Sequence, residues 1–194
     1  MKRPVLLLNI LLLGACGVDV PAPTPPKESS GPIFEEVLAG SGLESSFMRS
    51  GENPSTRIIE VKGGGLALLD IENDGDLDLF MPNGATLDDP DSGPGARLYR
   101  NMAELGEGLR FQDITAESGL HGHAAWSFGV ASGDVDGNGL DDLVVSTFGP
   151  NRLYLNQGAE GFVDASQEWG LLEKEAWSTS AALGDLDQDG DLDL

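Results

Sequence analysis

From residue 33 onward the apolar positions fall in short runs of Val, Leu, Tyr and Phe, split by Gly, Asn and Asp. That pattern fits β-hairpins better than helices. The stretch "WSFGVASGD" (126–134) predicts one strand and "DDLVVSTFG" (141–149) a second, with "NRLYLNQG" (151–158) a third strand and turn and "GFVDAS" (161–166) a fourth. A single helical turn is expected in "ITAESGL" (114–120), ahead of its closing Gly-Leu. One apolar run is different. Val5 to Leu13, interrupted by Asn9, follows Lys2 and Arg3 and is too short to span a bilayer as a mature helix, so residues 1–15 read as a signal peptide.

The strand pattern recurs. "FEEVLAGSGL" (34–43), "FQDITAESGL" (111–120) and "FVDASQEWGL" (162–171) share a Phe, an acid two residues on and a closing Gly-Leu. "ARLYRN" (96–101) matches "NRLYLN" (151–156), and Trp126-Ser127 matches Trp177-Ser178. The basic period is 51 residues, from Asp134 to Asp185, and the 64 residues from Asp70 to Asp134 reflect insertions of loop-like composition. Four strands per unit of about 50 residues is the size of a propeller blade, and such units are stable only when stacked. The expected fold is therefore all-β, a partial β-propeller of two to three blades over 33–194.

Each unit carries an acidic nonapeptide: "DIENDGDLD" (70–78), "DVDGNGLDD" (134–142) and "DLDQDGDLD" (185–193). Positions 1, 3, 5 and 9 are Asp70, Glu72, Asp74 and Asp78 in the first; Asp134, Asp136, Asn138 and Asp142 in the second; Asp185, Asp187, Asp189 and Asp193 in the third. Carboxylates this close repel unless a cation neutralises them. Oxygen ligands without His or Cys suit Ca²⁺, which accepts six to eight oxygens in flexible geometry; the smaller octahedral shell of Mg²⁺ suits so long a loop less well. Gly75, Gly139 and Gly190 at position 6 allow the chain to turn sharply round an ion. Position 7 (Asp76, Leu140, Asp191) would offer a backbone carbonyl. This is not an EF-hand, since position 12 is Met81 or Val145 and the flanks are strand-like. The plainer reading is an acidic, solvated hairpin without metal. Three copies in register favour up to three calcium ions. The third loop ends next to Leu194, so the first two sites are expected to be better supported.

Composition agrees. Of 33 acids, 14 lie in the three nonapeptides, and the formal charge of −22 argues against nucleic acid and against direct docking on anionic lipid. "PAPTPPKESSGP" (21–32) forms neither helix nor ladder and reads as a semi-extended linker, which places residues 16–32 between the signal peptide and the folded part. Cys16 is the only cysteine, so it has no intramolecular disulfide partner. Leu13-Gly14-Ala15-Cys16 resembles the bacterial lipobox, which implies lipidation of Cys16; an ordinary secretory signal that happens to end near Cys is the alternative. With Gly17 in place of Asp, the resemblance further implies an exported lipoprotein of the outer membrane or cell surface.

The repeats resemble the FG-GAP/VCBS family of calcium-binding β-propellers, and more narrowly the cartilage-acidic-protein-like group, through F-x-D-x-T…GL, GD-x-D-x-D-G-x-x-D-L and N-R-L-Y-x-N. That resemblance implies a seven-bladed ring, of which this chain holds fewer than three blades and so is expected to be an N-terminal piece. Glu72 departs from the usual Asp, and its longer arm is expected to loosen the first site. The ASPIC-type domain that often follows the propeller in this group is not within these residues.

His121 and His123 invite a metal or base reading, but Leu172 and Lys174 stand there in the next repeat, which favours variable loop polarity. The register of Trp126 and Trp177 favours packing between blades over ligand stacking, and Arg97 and Arg152 are expected to serve strand pairing or a salt bridge. No nucleophile, base and orienting group are placed together. The leading expectation is a non-enzymatic binding or adhesion module, with an extracellular protein or polysaccharide as partner and membrane contact only through the lipid. The alternatives are an accessory domain to a catalytic region further along, or a calcium-dependent polysaccharide-active enzyme.

Overall fold

All four strands expected in the second repeat form, and the first repeat forms the same four. In a computed structural model, residues 36–194 are described apart from Phe47, Arg49, Lys62, 91–92, 104–107, 121–124 and 174–175. The signal peptide, Cys16, the proline-rich linker, His121, His123 and Lys174 lie outside the described residues. Strands β1 (Ala67–Leu69), β2 (Asp78–Met81), β3 (Arg97–Asn101) and β4 (Phe111–Asp113) make one antiparallel sheet in chain order. Strands β5 (Ser127–Gly133), β6 (Asp142–Gly149), β7 (Arg152–Asn156) and β8 (Phe162–Asp164) make a second in the same order. A short β9 (Ala176–Trp177) of the third repeat pairs with the far end of β6, through Phe148 opposite Trp177. Among the described residues helix is limited to 3₁₀ turns, and "ITAESGL" makes one turn (Ser118 N–H to the Ile114 carbonyl, 2.9 Å) before Gly119 stops it at φ 82°.

The register repeats as strictly as the sequence. Leu79 pairs with Tyr99 in the first sheet, and Leu143 with Tyr154 in the second. Arg97 lies 3.6 Å from Asp113 and Arg152 3.7 Å from Asp164, so both arginines reach the acid of the Phe-x-Asp element on the adjacent strand, as expected. The residue two beyond each acid then finishes the strand pairing. Leu98 N–H donates to the Thr115 hydroxyl and Leu153 N–H to that of Ser166, both at 2.9 Å.

Neither sheet buries its apolar face alone. Leu69, Phe80 and Leu98 join Leu143, Tyr154 and Phe162 of the other sheet in one core, each worth about 1.5–3 kcal/mol when fully buried. The joints between repeats also recur at matching positions. Ser127 N–H donates to the Asn83 carbonyl (3.0 Å) and Ser178 N–H to that of Thr147 (3.1 Å). Phe111 N–H donates to Ser41 and Phe162 N–H to Ser118, both at 2.7 Å. Trp126 is fully buried, stacked 5.7 Å from Phe128 and clustered with Ile59 and Ala85 of the preceding repeat. Trp177 packs 6.0 Å from that same Phe128. The tryptophan register therefore serves packing between repeats.

Candidate metal centre

Three hairpins hold the acidic nonapeptides, and all three close in one register. Leu69 pairs with Asp78, Gly133 with Asp142, and Gly184 with Asp193. The flanks of the first two are strands, which excludes an EF-hand here. The third closes with two backbone bonds between Gly184 and Asp193, at 3.1 and 2.9 Å.

Within each loop the carboxylates first do backbone work. Position 1 gathers amides from the turn: Asp70 accepts from Asp74 and Gly75, Asp134 from Gly137, Asn138 and Gly139, and Asp185 from Gln188, Asp189 and Gly190. Position 5 accepts from the N–H of position 7, in Asp74–Asp76, Asn138–Leu140 and Asp189–Asp191. Position 9 accepts from position 2: Ile71 to Asp78, Val135 to Asp142, Leu186 to Asp193. Its second oxygen reaches across the sheet, taking the N–H of Asn101 in the first repeat and of Asn156 in the second, each at 2.7 Å. Glycine at position 6 is left-handed in every copy, with φ of 94°, 87° and 98°.

Where the loops differ is in how their carboxylates converge. One oxygen each from Asp134, Asp136 and Asp142 lie within 4.8 Å of one another, and so do oxygens of Asp185, Asp187 and Asp193. These two groups can hold a metal ion. Among the described residues the first loop makes no such group. There Glu72 extends to Arg100 and pairs with it at 2.6 Å, while Asp136 stays with its own loop, accepting from Asn138 N–H at 3.0 Å. The third loop was expected to be the least supported; it gathers its acids, and the first does not. A full hairpin closure at Gly184–Asp193 suffices to position the third set.

Burial and neighbouring charge both act on the loop carboxylates. Burial pushes the Asp142 carboxyl above the usual carboxylate range; the Asn156 and Val135 amides oppose this, and Asp136 and Asp134 add to it. Asp78 is raised for the same leading reason. In the third loop Asp191 is raised by its hydrogen bond and charge contact with Asp189. All donors are hard oxygens, the ligand chemistry of Ca²⁺ and Mg²⁺ rather than of Zn²⁺.

Sequence reasoning missed two parts of this scaffold. Position 4 is left-handed as well (Asn73 57°, Gly137 76°, Gln188 66°), and only Gly137 and Asn73 advertise it by residue type. Arg100 does not recur, since the residue in its place in the second repeat is Leu155.

Fold and site together define a class: antiparallel four-stranded β-repeats whose first hairpin carries an acidic loop. Residues 134–194 match the FG-GAP-like repeat family. The chain is also similar to cartilage acidic protein 1 of Mus musculus, 29% identical over 136 residues, which is 68% of this chain and 20% of that protein. With cartilage acidic protein 1 of Homo sapiens it shares 27% identity over 166 residues, 84% of this chain and 22% of that one. The chain thus spans about a fifth of the length of these relatives.

Proposed function

We propose that these repeats form a calcium-stabilised, non-catalytic binding module, exported and held at a cell surface by lipid on Cys16. The observation that carries the calcium part is the convergence of Asp134, Asp136 and Asp142, and of Asp185, Asp187 and Asp193, inside hairpins of identical register. A bound calcium ion would supply the positive charge that these carboxylates lack. Position 1 and position 9 already hold the loop backbone, so the ion locks a preformed turn and stiffens the sheet that follows. Extracellular calcium modules work at roughly 10⁻⁴–10⁻³ M, so occupancy would follow the calcium of the surroundings. Cys16 and the proline-rich linker support anchoring at a distance from the membrane, and an extracellular protein or polysaccharide is the partner this arrangement suits.

Thermal unfolding of the full chain tests the ion. Chelation should lower the melting temperature, and calcium should restore it at concentrations where magnesium does not. A melt indifferent to both would sink the calcium reading. Mass spectrometry of the mature N-terminus tests the anchor, with an acylated Cys16 expected and a free Cys16 counting against it.

A further inference from the structure

Loop one does not fit the ion that loops two and three fit, and its own chain shows why. Glu72 stands where the others have Asp136 and Asp187, and its carboxylate is held 2.6 Å from the Arg100 guanidinium. Arg100 sits on β3 one residue past Tyr99, opposite Gln112; the same place on β7 is Leu155, one past Tyr154 and opposite Val163. Two differences therefore occur together: a longer acid at position 3, and a cation on the neighbouring strand within its reach. Both side chains are partly shielded, Arg100 at 43% exposure and Glu72 at 33%. The rest of the loop is unaltered. Asp70 still collects its turn amides, Asp78 still takes those of Ile71 and Asn101, and Gly75 still turns at φ 94°.

We propose that loop one binds no metal ion and that Arg100 supplies in cis the positive charge that the other loops take from calcium. This rests on the calcium reading of loops two and three and sharpens it: the chain holds two ions, and its first repeat keeps its hairpin when calcium is withdrawn. An ion pair within the chain follows neither calcium concentration nor chelator. A tethered guanidinium also competes for Glu72 at an effective concentration fixed by the fold, whatever the calcium in solution. The first repeat then serves as a constant platform against which the calcium-dependent repeats are built.

The test counts ions and follows each loop separately in the full chain. Equilibrium dialysis with radioactive calcium should give two ions per chain, falling to one in Asp136→Ala and staying at two in Asp70→Ala. The double variant Glu72→Asp/Arg100→Leu, which copies the second repeat, should bind a third. Amide exchange gives a readout that needs no metal. On chelation, exchange in loops two and three should quicken on the order of tenfold or more, while loop one changes by less than about twofold. Three ions in the wild type with one lost in Asp70→Ala would overturn the proposal, as would loop one opening with the others on chelation. Failure of the double variant to gain an ion would overturn the role given to Arg100. If no loop responds to calcium, the calcium reading fails and Arg100 is judged in chelator alone. Faster loop-one exchange in Arg100→Leu then supports the charge it supplies, and unchanged exchange refutes it.

Discussion

The hairpin from β1 to β2 and the one from β5 to β6 hold one backbone with two charge arrangements. In both, the first Asp gathers the turn amides and the last Asp is wholly buried between two strands. In the first, the acid at position 3 leaves for Arg100; in the second, it remains beside Asp134 and Asp142. The comparison separates two jobs that the nonapeptide pattern merges. Positions 1, 6 and 9 make the turn, and position 3 decides whether carboxylates converge. A loop can therefore keep the motif's scaffold without gathering its carboxylates.

The largest effects should come from the buried last Asp. Asp142→Ala leaves the Val135 and Asn156 amides without their acceptor, and Asp78→Ala does the same to Ile71 and Asn101. Each variant is predicted to lose about 3 kcal/mol in chelator, since a buried unpaired amide costs roughly 1–3 kcal/mol. Urea unfolding with and without calcium then divides the pair. Asp142→Ala should lose a further increment in calcium, because it forgoes the loop-two ion that the wild type would bind, whereas Asp78→Ala should lose the same in both. An equal calcium-dependent loss in Asp78→Ala would erase the distinction between the loops.

A second contrast lies at the joints between repeats. A methyl group on Gly129 would sit 2.7 Å from Ser180 Cα and 2.9 Å from the Thr179 carbonyl, both backbone atoms. On Gly65, at the matching place one repeat earlier, the nearest atom is the Phe128 carbonyl at 3.2 Å. Overpacking of this kind costs about 1–3 kcal/mol, so Gly129→Ala should fall near the upper end and Gly65→Ala at or below the lower. Thermal melts of the two variants in calcium measure the order, and a reversed order would mean that the joints are not equivalent.

These contrasts mark what the sequence can carry. The strands, the repeat and the position-6 glycines were readable because Val, Leu, Tyr and Gly report local backbone preference directly. The packing role of Trp126 and the ion pairs of Arg97 and Arg152 were readable because two copies in one chain fix the register. Arg100 was not, since it lies 28 residues from Glu72 and its importance follows from a contact across strands rather than from a spacing. Nor was the left-handed Gln188, because a residue type that ordinarily avoids that region gives no signal. The buried character of Asp78 and Asp142 was also hidden, as an Asp in an acidic run reads as solvated until its amide partners are seen.

Gln188 makes a smaller prediction from the same comparison. Its φ of 66° matches Gly137 at 76° in the second loop, where glycine pays no steric penalty. Gln188→Gly should therefore stabilise the third hairpin by up to about 1 kcal/mol, because the left-handed cost of 1–2 kcal/mol exceeds the entropy that glycine adds to the unfolded chain. Asn73→Gly should gain less, since Asn tolerates that region. Gly137→Ala should move the other way. Unfolding in chelator reads all three without interference from the ion.

The smallest effects belong to the paired arginines, and their order still tests the repeat. Arg97 and Asp113 are each 44% exposed, while Arg152 and Asp164 are at 26% and 28%, at nearly the same separation. Water screens the first pair more, so removing it should cost a few tenths of a kcal/mol, and removing the second up to about 1 kcal/mol. Salt sharpens the contrast: raising ionic strength should diminish the cost of Arg97→Ala more completely than that of Arg152→Ala, because partial burial shields the latter from counterions. Arg152→Ala also removes the packing of its half-buried apolar stem, so part of its cost should persist at high salt. Equal costs at every salt concentration would show that both arginines act through their packing alone.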